Sequence, residues 1–203
     1  MSQIALPLTA RRAEDPARIV VGNANHAVID ALMDPAAWPY GAAILAGPAR
    51  SGKSLLARWV EGQGGAQAID NAESADETEL FHRWNRAQES GRPLLLVTNR
   101  DPWPIALPDL RSRLGAALHL TIGIPDDEMI ASLIEAHALE RSLVLGEGAL
   151  TYLLPRLERS FAAIEAVVAA IDRLSLERMV PPTLSVWRDA LEAVQGAEQP
   201  RLL

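Results

Sequence analysis

The eight residues Gly47-Pro48-Ala49-Arg50-Ser51-Gly52-Lys53-Ser54 constrain this chain more than any others. They fit the pattern G-x-x-x-x-G-K-[ST]. Given the chain's own composition, chance produces such a match on the order of one time in three thousand. The lysine sharpens the signal. Of nineteen basic residues, eighteen are arginine and Lys53 is the only lysine. A chain that uses arginine everywhere else keeps a compact ammonium here rather than a planar fork. The glycines let successive backbone N–H groups converge on a phosphate at a helix N-terminus. Lys53 then reaches the outer phosphates, and the Ser54 hydroxyl suits Mg2+. Such a loop needs a strand before it and a helix after it, and both are legible. Ala42 to Ala46 is a short apolar run of strand length, and Ser54 to Val60 reads as a helix with Leu55, Leu56 and Trp59 on one side.

The flanking sequence repeats the alternation. Asn25 to Met33 reads as a short helix with Ala27, Val28 and Leu32 on its apolar side, and Pro35, Pro39 and Gly41 break the chain before the first strand. Ala66 to Ile69 predicts a second strand ending at Asp70. Asp76 to Ser90 has helical spacing through Leu80, Trp84 and Ala87 and stops at Gly91. Pro93 to Thr98 and Ala117 to Ile122 predict two further strands. Strands alternating with helices around a phosphate loop predict a parallel, doubly wound α/β sheet. After Pro125 the pattern is helical only. Asp126 is a candidate N-cap for a helix carrying Ile130, Leu133, Ile134 and His137. Gly146 to Leu154, Ser160 to Arg178 and a helix capped by Thr183 follow; the last carries Val186, Trp187, Leu191 and Val194. The predicted organisation is a mobile arm over 1–17, an α/β base over 18–125 and a small all-helical lid over 126–203.

Composition excludes several alternatives. The 203 residues suffice for one large domain or a medium one with an appendage, and 49% hydrophobic content supports a packed core. A net charge of −7 disfavours a protein that grips long nucleic acid by itself. With no cysteine, disulfides, thiolate metal sites and cysteine nucleophiles are all excluded. The four histidines lack metal-ligand spacing, and no G-x-S-x-G is present. Apolar runs are strand-sized, so no membrane span is expected; with no signal-peptide pattern, the expected location is the cytoplasm.

The order of these pieces resembles the AAA+ ATPases, and within them the DnaA initiator branch. Arg18 to Asn25 (R-I-V-V-G-N-A-N) resembles the segment that lies over the adenine in that branch. Ile69-Asp70-Asn71-Ala72-Glu73 is similar to the Walker B stretch of the DnaA-homologous Hda regulators. Leu107-Pro108-Asp109-Leu110-Arg111-Ser112-Arg113-Leu114 resembles their arginine-finger segment. Gln3-Ile4-Ala5-Leu6-Pro7-Leu8 looks like the sliding-clamp peptide that opens Hda proteins. The chain departs from the pattern in three places. Asn71 follows Asp70 where a second acid is usual. The sensor-2 arginine of the lid falls at Ala162. Only Glu61 to Gly65 separates the P-loop helix from the Walker B strand, where DnaA-type proteins place an extra edge strand.

The resemblance implies a set of roles. Val20 and Val21 would contact adenine, the alternative being simple core positions. Gly47, Gly52, Lys53 and Ser54 would cradle the phosphates of ADP or ATP, with Asn99 meeting the outermost one. Ser54 and Asp70 would hold Mg2+, and Glu73 is a candidate general base, with a solvated turn carboxylate as the alternative. Arg113 would be a finger acting on a partner's nucleotide, or else a surface arginine pairing with Asp109 one helical turn before it. Gln3, Ile4, Leu6, Pro7 and Leu8 would dock as an extended peptide in a hydrophobic groove of the clamp. The implied function is an Hda-like adaptor that binds the DNA-loaded sliding clamp and stimulates hydrolysis of DnaA-bound ATP, restraining replication initiation. Its own turnover would be weak or absent, its contact with DNA indirect, and homodimerisation is left open. The alternative is an autonomous P-loop ATPase or small-molecule kinase; a scaffold that kept the fold and lost the nucleotide is the third reading.

Overall fold

Four parallel strands form the centre of the molecule: β1 (Ala42–Ala46), β2 (Gln67–Ile69), β3 (Leu94–Val97) and β4 (Leu118–Thr121). Their spatial order is β2-β3-β1-β4, with Ile44 paired between Leu96 and His119. The computed structural model describes residues 19–198. The arm over 1–17, and with it Gln3, Ile4, Leu6, Pro7 and Leu8, lies outside the described residues.

Both faces of β1 and β3 are covered, which is why these strands read as unbroken apolar runs rather than alternating ones. Alternate side chains serve different cores. Ala43, Leu45, Leu95, Val97 and Leu120 pack with α1 (His26–Met33) and α2 (Lys53–Gly62) through Val28, Leu32, Leu56, Ala57 and Val60. Ala42, Ile44, Leu94 and Leu96 face α3 (Glu77–Ser90) and α4 (Pro108–Gly115) through Leu80, Trp84, Leu110 and Leu114. Burying each of these leucines contributes about 1.5–3 kcal/mol, so the two layers hold the strand ends that carry the site.

The lid consists of α5 (Asp127–Glu140), α6 (Ala149–Leu153), α7 (Phe161–Arg178) and α8 (Leu184–Glu198). Ile130, Ile134, Leu153, Ile164, Val168, Ile171, Val186 and Trp187 form its separate core. Met129 and Phe161, at the starts of α5 and α7, belong to the core of the base instead. They anchor the lid beside the phosphate loop. Asp126 caps α5 by accepting from the Met129 N–H at 2.9 Å, and Ser160 caps α7 from the Ala163 N–H at 3.3 Å. Each such cap is worth roughly 1 kcal/mol.

Several expectations are corrected in detail. Helix α2 starts at Lys53 and runs to Gly62, and its buried stripe is Leu56, Ala57 and Val60; Leu55 and Trp59 are half-buried. Ala27 in α1 is exposed and Ala24 takes the buried place. Residues 108–115 form a helix, which the sequence offered only through the alternative for Arg113; Pro108 at its first turn starts it. The sparse connection after α2 does leave β2 as an edge of the described sheet. There the Ala68 N–H donates to Glu61 Oε1 at 3.4 Å, so a side chain meets a donor of this edge strand.

Candidate nucleotide site

The phosphate loop leaves β1 at Ala46 and enters α2 at Lys53. At Gly47 an added Cβ would lie 2.9 Å from the Cβ of Ile122, so only glycine lets the loop pass the neighbouring strand end. Gly52 holds φ 86° as the residue preceding α2, a left-handed conformation that glycine adopts without strain. These two positions explain the glycines of the motif.

Lys53 is only 5% exposed. Its Nζ donates to the Gly47 carbonyl at 2.8 Å and the Pro48 carbonyl at 2.7 Å. Burial pushes the ammonium below its ordinary lysine value, and the carboxylates of Asp70 and Glu73 oppose that shift. Ser51, 6% exposed, has a buried Oγ with no hydrogen-bond partner. A buried hydroxyl left unsatisfied costs about 1–3 kcal/mol, and a phosphate oxygen at the loop would satisfy it. The loop thus fits a phosphate on an observation independent of its motif.

Ser54 is half-buried at the second position of α2, and Asp70 is exposed just after β2. Among the described residues no cluster of three or more acidic or histidine side chains could cage an ion.

Asn99 and Glu73 meet directly, which their separation in sequence had concealed. Glu73 Oε1 accepts from the Asn99 backbone N–H at 3.1 Å and from Asn99 Nδ2 at 3.0 Å. The same Nδ2 donates to Asn71 Oδ1 at 3.0 Å. Asn71, standing where a second acid was expected, sits in the left-handed region at φ 49° and joins this network. Burial pushes the Glu73 carboxyl up. Hydrogen bonds from its own backbone, from Asn99 and from Thr98 outweigh that effect and hold it below the ordinary glutamate value.

The segment before α1 is pinned by Asn25, the last residue of the stretch that resembles the adenine-covering segment. Asn25, 5% exposed, accepts from the Gly22 N–H at 2.9 Å and donates to the Val20 carbonyl at 2.8 Å. Val20 is half-buried against the core, whereas Val21 is 60% exposed. Asn23 ties this segment to the connection between β4 and α5, donating to the Ile124 carbonyl at 3.1 Å and accepting from the Asp126 N–H at 3.0 Å. Ile124 is exposed as well. Val21 and Ile124 are thus exposed apolar side chains on segments joined through Asn23.

Arg113 lies elsewhere, on α4. Its guanidinium donates to Asn85 Oδ1 and lies 4.4 Å from the centre of the Phe81 ring, both on α3. The pairing with Asp109 is replaced by these contacts. Arg111, by contrast, is tied to the carbonyls of Ile105 and Ala106, at 2.8 and 3.3 Å.

No protein-family model matches the chain. Solved structures do. Domain III of the replication initiation protein DnaA from Thermotoga maritima superposes with a TM-score of 0.74 at 16% identity, over 88% of this chain and 95% of that one. The fold is the AAA+ fold. AMPPCP-bound DnaA from Aquifex aeolicus is similar over 81% of this chain and 67% of its own, with a TM-score of 0.64 and 15% identity. Thermotoga maritima RuvB gives 0.62 at 15% identity, over 88% and 73%. The AAA+ fold, with its parallel sheet and flanking helices, is therefore common to an initiator and a second AAA+ protein, and the site above occupies the end of β1.

Proposed function

We propose that the chain is a nucleotide-binding adaptor of the DnaA-like type, which acts on the ATP of a partner more than on its own. In this reading it docks on the DNA-loaded sliding clamp through Gln3, Ile4, Leu6, Pro7 and Leu8. It then stimulates hydrolysis of DnaA-bound ATP and so restrains replication initiation. The observation that carries the reading is the contrast within the site. The phosphate-binding set is complete, down to the orphaned Ser51 hydroxyl. The candidate base, Glu73, has its Oε1 taken by Asn99, while its Oε2 is buried without a partner and the carboxyl is held below its ordinary pKa. A general base works best with a pKa near the working pH, so this arrangement supports a weak intrinsic turnover in this reading.

The chain's residues divide the work. Gly47, Gly52, Lys53 and the loop amides hold the phosphates of ADP or ATP. Ser54 and Asp70 would hold Mg2+, which neutralises phosphate charge. Val20, Val21 and Asn99 position the base and the outer phosphate. Arg113 lies on α4, apart from the chain's own loop, and would meet the partner's γ-phosphoryl group. A guanidinium there stabilises the charge of the transferring group, worth about 10³- to 10⁵-fold in comparable systems. A net charge of −7 suits a protein that reaches DNA through a ring rather than by direct contact.

The test is single-round hydrolysis of DnaA-bound ATP with loaded clamp. Wild type should accelerate it. Arg113→Ala should lose the acceleration while keeping its own nucleotide affinity, and Arg113→Lys should restore little of it. Alanine at Gln3, Leu6 and Leu8 together should abolish clamp binding without changing the melting temperature. Full activity of Arg113→Ala, or an equal loss in Arg111→Ala, would refute the assignment. Turnover above ~1 s⁻¹ by the isolated chain would favour an autonomous ATPase or kinase instead.

A further inference from the structure

The two cations of the phosphate loop are engaged in different ways. Lys53 is buried and turned back on loop carbonyls. Arg50 reaches outward, and its Nε lies 3.0 Å from Glu165 Oε2 on α7. That contact bridges the loop and the lid helix. Arg50 also holds φ 64°, a left-handed conformation that a residue with a side chain rarely adopts. The ion pair does not account for it. Arg50 is 66% exposed, and a pair so open to water is a weak tie.

Among the described residues, α7 offers no cation near Glu165. From Phe161 to Asp172, α7 contains neither lysine nor arginine, and the first is Arg173. Arg159, just before α7, is paired with Asp127 at 2.8 Å. Arg156 lies over the Tyr152 ring and donates to the Tyr152 carbonyl. An outer phosphate leaving the loop towards α7 therefore meets Arg50 first.

Building on the nucleotide reading above, we infer that Arg50 is the ligand of the terminal phosphate of a bound nucleoside triphosphate, and that Glu165 holds it poised until the triphosphate enters. A guanidinium fork matches phosphate oxygens as it matches a carboxylate, so the two compete for the same donors. When the phosphate takes Arg50, Glu165 is left facing negative charge, and α7 loses its ionic tie to the loop.

The experiment is calorimetric titration of Mg-ATP and Mg-ADP into the full chain and its Arg50→Gln, Glu165→Gln and Lys53→Ala variants. Arg50→Gln should lose about tenfold or more in ATP affinity with under about threefold change for ADP, the loss of one charge-assisted contact. Glu165→Gln should bind ATP more tightly than wild type, because its competing carboxylate is gone. Lys53→Ala should weaken both nucleotides. Unchanged ATP affinity in Arg50→Gln, or an equal loss for ADP and ATP, overturns the inference while the Lys53 result keeps the nucleotide site. If Arg50→Gln fails to fold, Glu165→Gln decides alone: unchanged or weaker ATP binding overturns the inference. A wild type that binds neither nucleotide overturns the site reading and this inference together.

Discussion

Replacing Lys53 by alanine separates a phosphate ligand from a structural lysine. Without nucleotide, Nζ spends its hydrogen bonds on the carbonyls of Gly47 and Pro48, at 2.8 and 2.7 Å. Phosphate oxygens must draw it off those carbonyls, so the number of bonds barely changes on binding. The gain comes from charge. Two unit charges about 4 Å apart at an effective dielectric near 20 interact by about 4 kcal/mol. Surrendering the carbonyl bonds takes back part of that, at about 0.5–1.5 kcal/mol each. A net contribution of about 1–3 kcal/mol remains, so Lys53→Ala should weaken ADP and ATP roughly 5- to 150-fold.

Thermal melting offers a second readout. At 100 times the wild-type dissociation constant, nucleotide stabilises the folded state by about 2.7 kcal/mol. A tenfold weaker variant at the same concentration keeps only about 1.4 kcal/mol, a shortfall of roughly 3–5 °C for a domain of this size. The nucleotide-free melting temperature should move little, because the lost carbonyl bonds are offset by removing a charge that burial disfavours. Calorimetry with Mg-ADP and a melt with and without nucleotide measure both quantities. An affinity within threefold of wild type would refute the reasoning, as would a large fall in the nucleotide-free melt.

Gly47→Ala should destabilise the fold by about 1–3 kcal/mol, since its Cβ would overlap the Ile122 side chain; chemical denaturation measures it. The Glu73 carboxyl is held below its ordinary value in the folded state, so its ionised form favours folding. That contribution is present above the unfolded glutamate pKa, near 4.3, and disappears as the pH falls through the folded value. Glu73→Gln should therefore flatten the acid limb of the stability profile, and an unchanged slope below pH 5 would count against the Asn99 network. Asn25→Ala should cost about 1–3 kcal/mol by leaving the Gly22 N–H and Val20 carbonyl unpaired, and should weaken nucleotide binding if Val20 and Val21 contact the base.

Local chemistry was decided by local sequence. A phosphate loop is a short run whose backbone shape and charge depend on its own glycines and lysine, so Gly47, Gly52, Lys53 and Ser54 could be placed from residue types alone. The strands were equally plain, because a strand covered on both faces, such as Leu94–Val97, reads as an uninterrupted apolar run. The helix stripes through Leu80, Trp84 and Ala87, and through Phe161, Ile164, Val168 and Ile171, follow from a period that every turn repeats. Helix α4 entered only as the alternative for Arg113, because eight mostly polar residues carry too few turns to show a period.

What tertiary structure decided are the meetings between distant segments. Asn99 on Glu73, Arg113 on Asn85 and Phe81, Asn23 on Ile124 and Arg50 on Glu165 each join positions between 26 and 115 residues apart. No periodicity records such pairs, because they arise only when the sheet brings the ends of β2 and β3 side by side and two core residues, Met129 and Phe161, seat the lid against the base. The sequence could name the candidate groups. Which carboxylate answers which cation depends on the three-dimensional distances that set hydrogen bonding and Coulomb energy, and those come from packing.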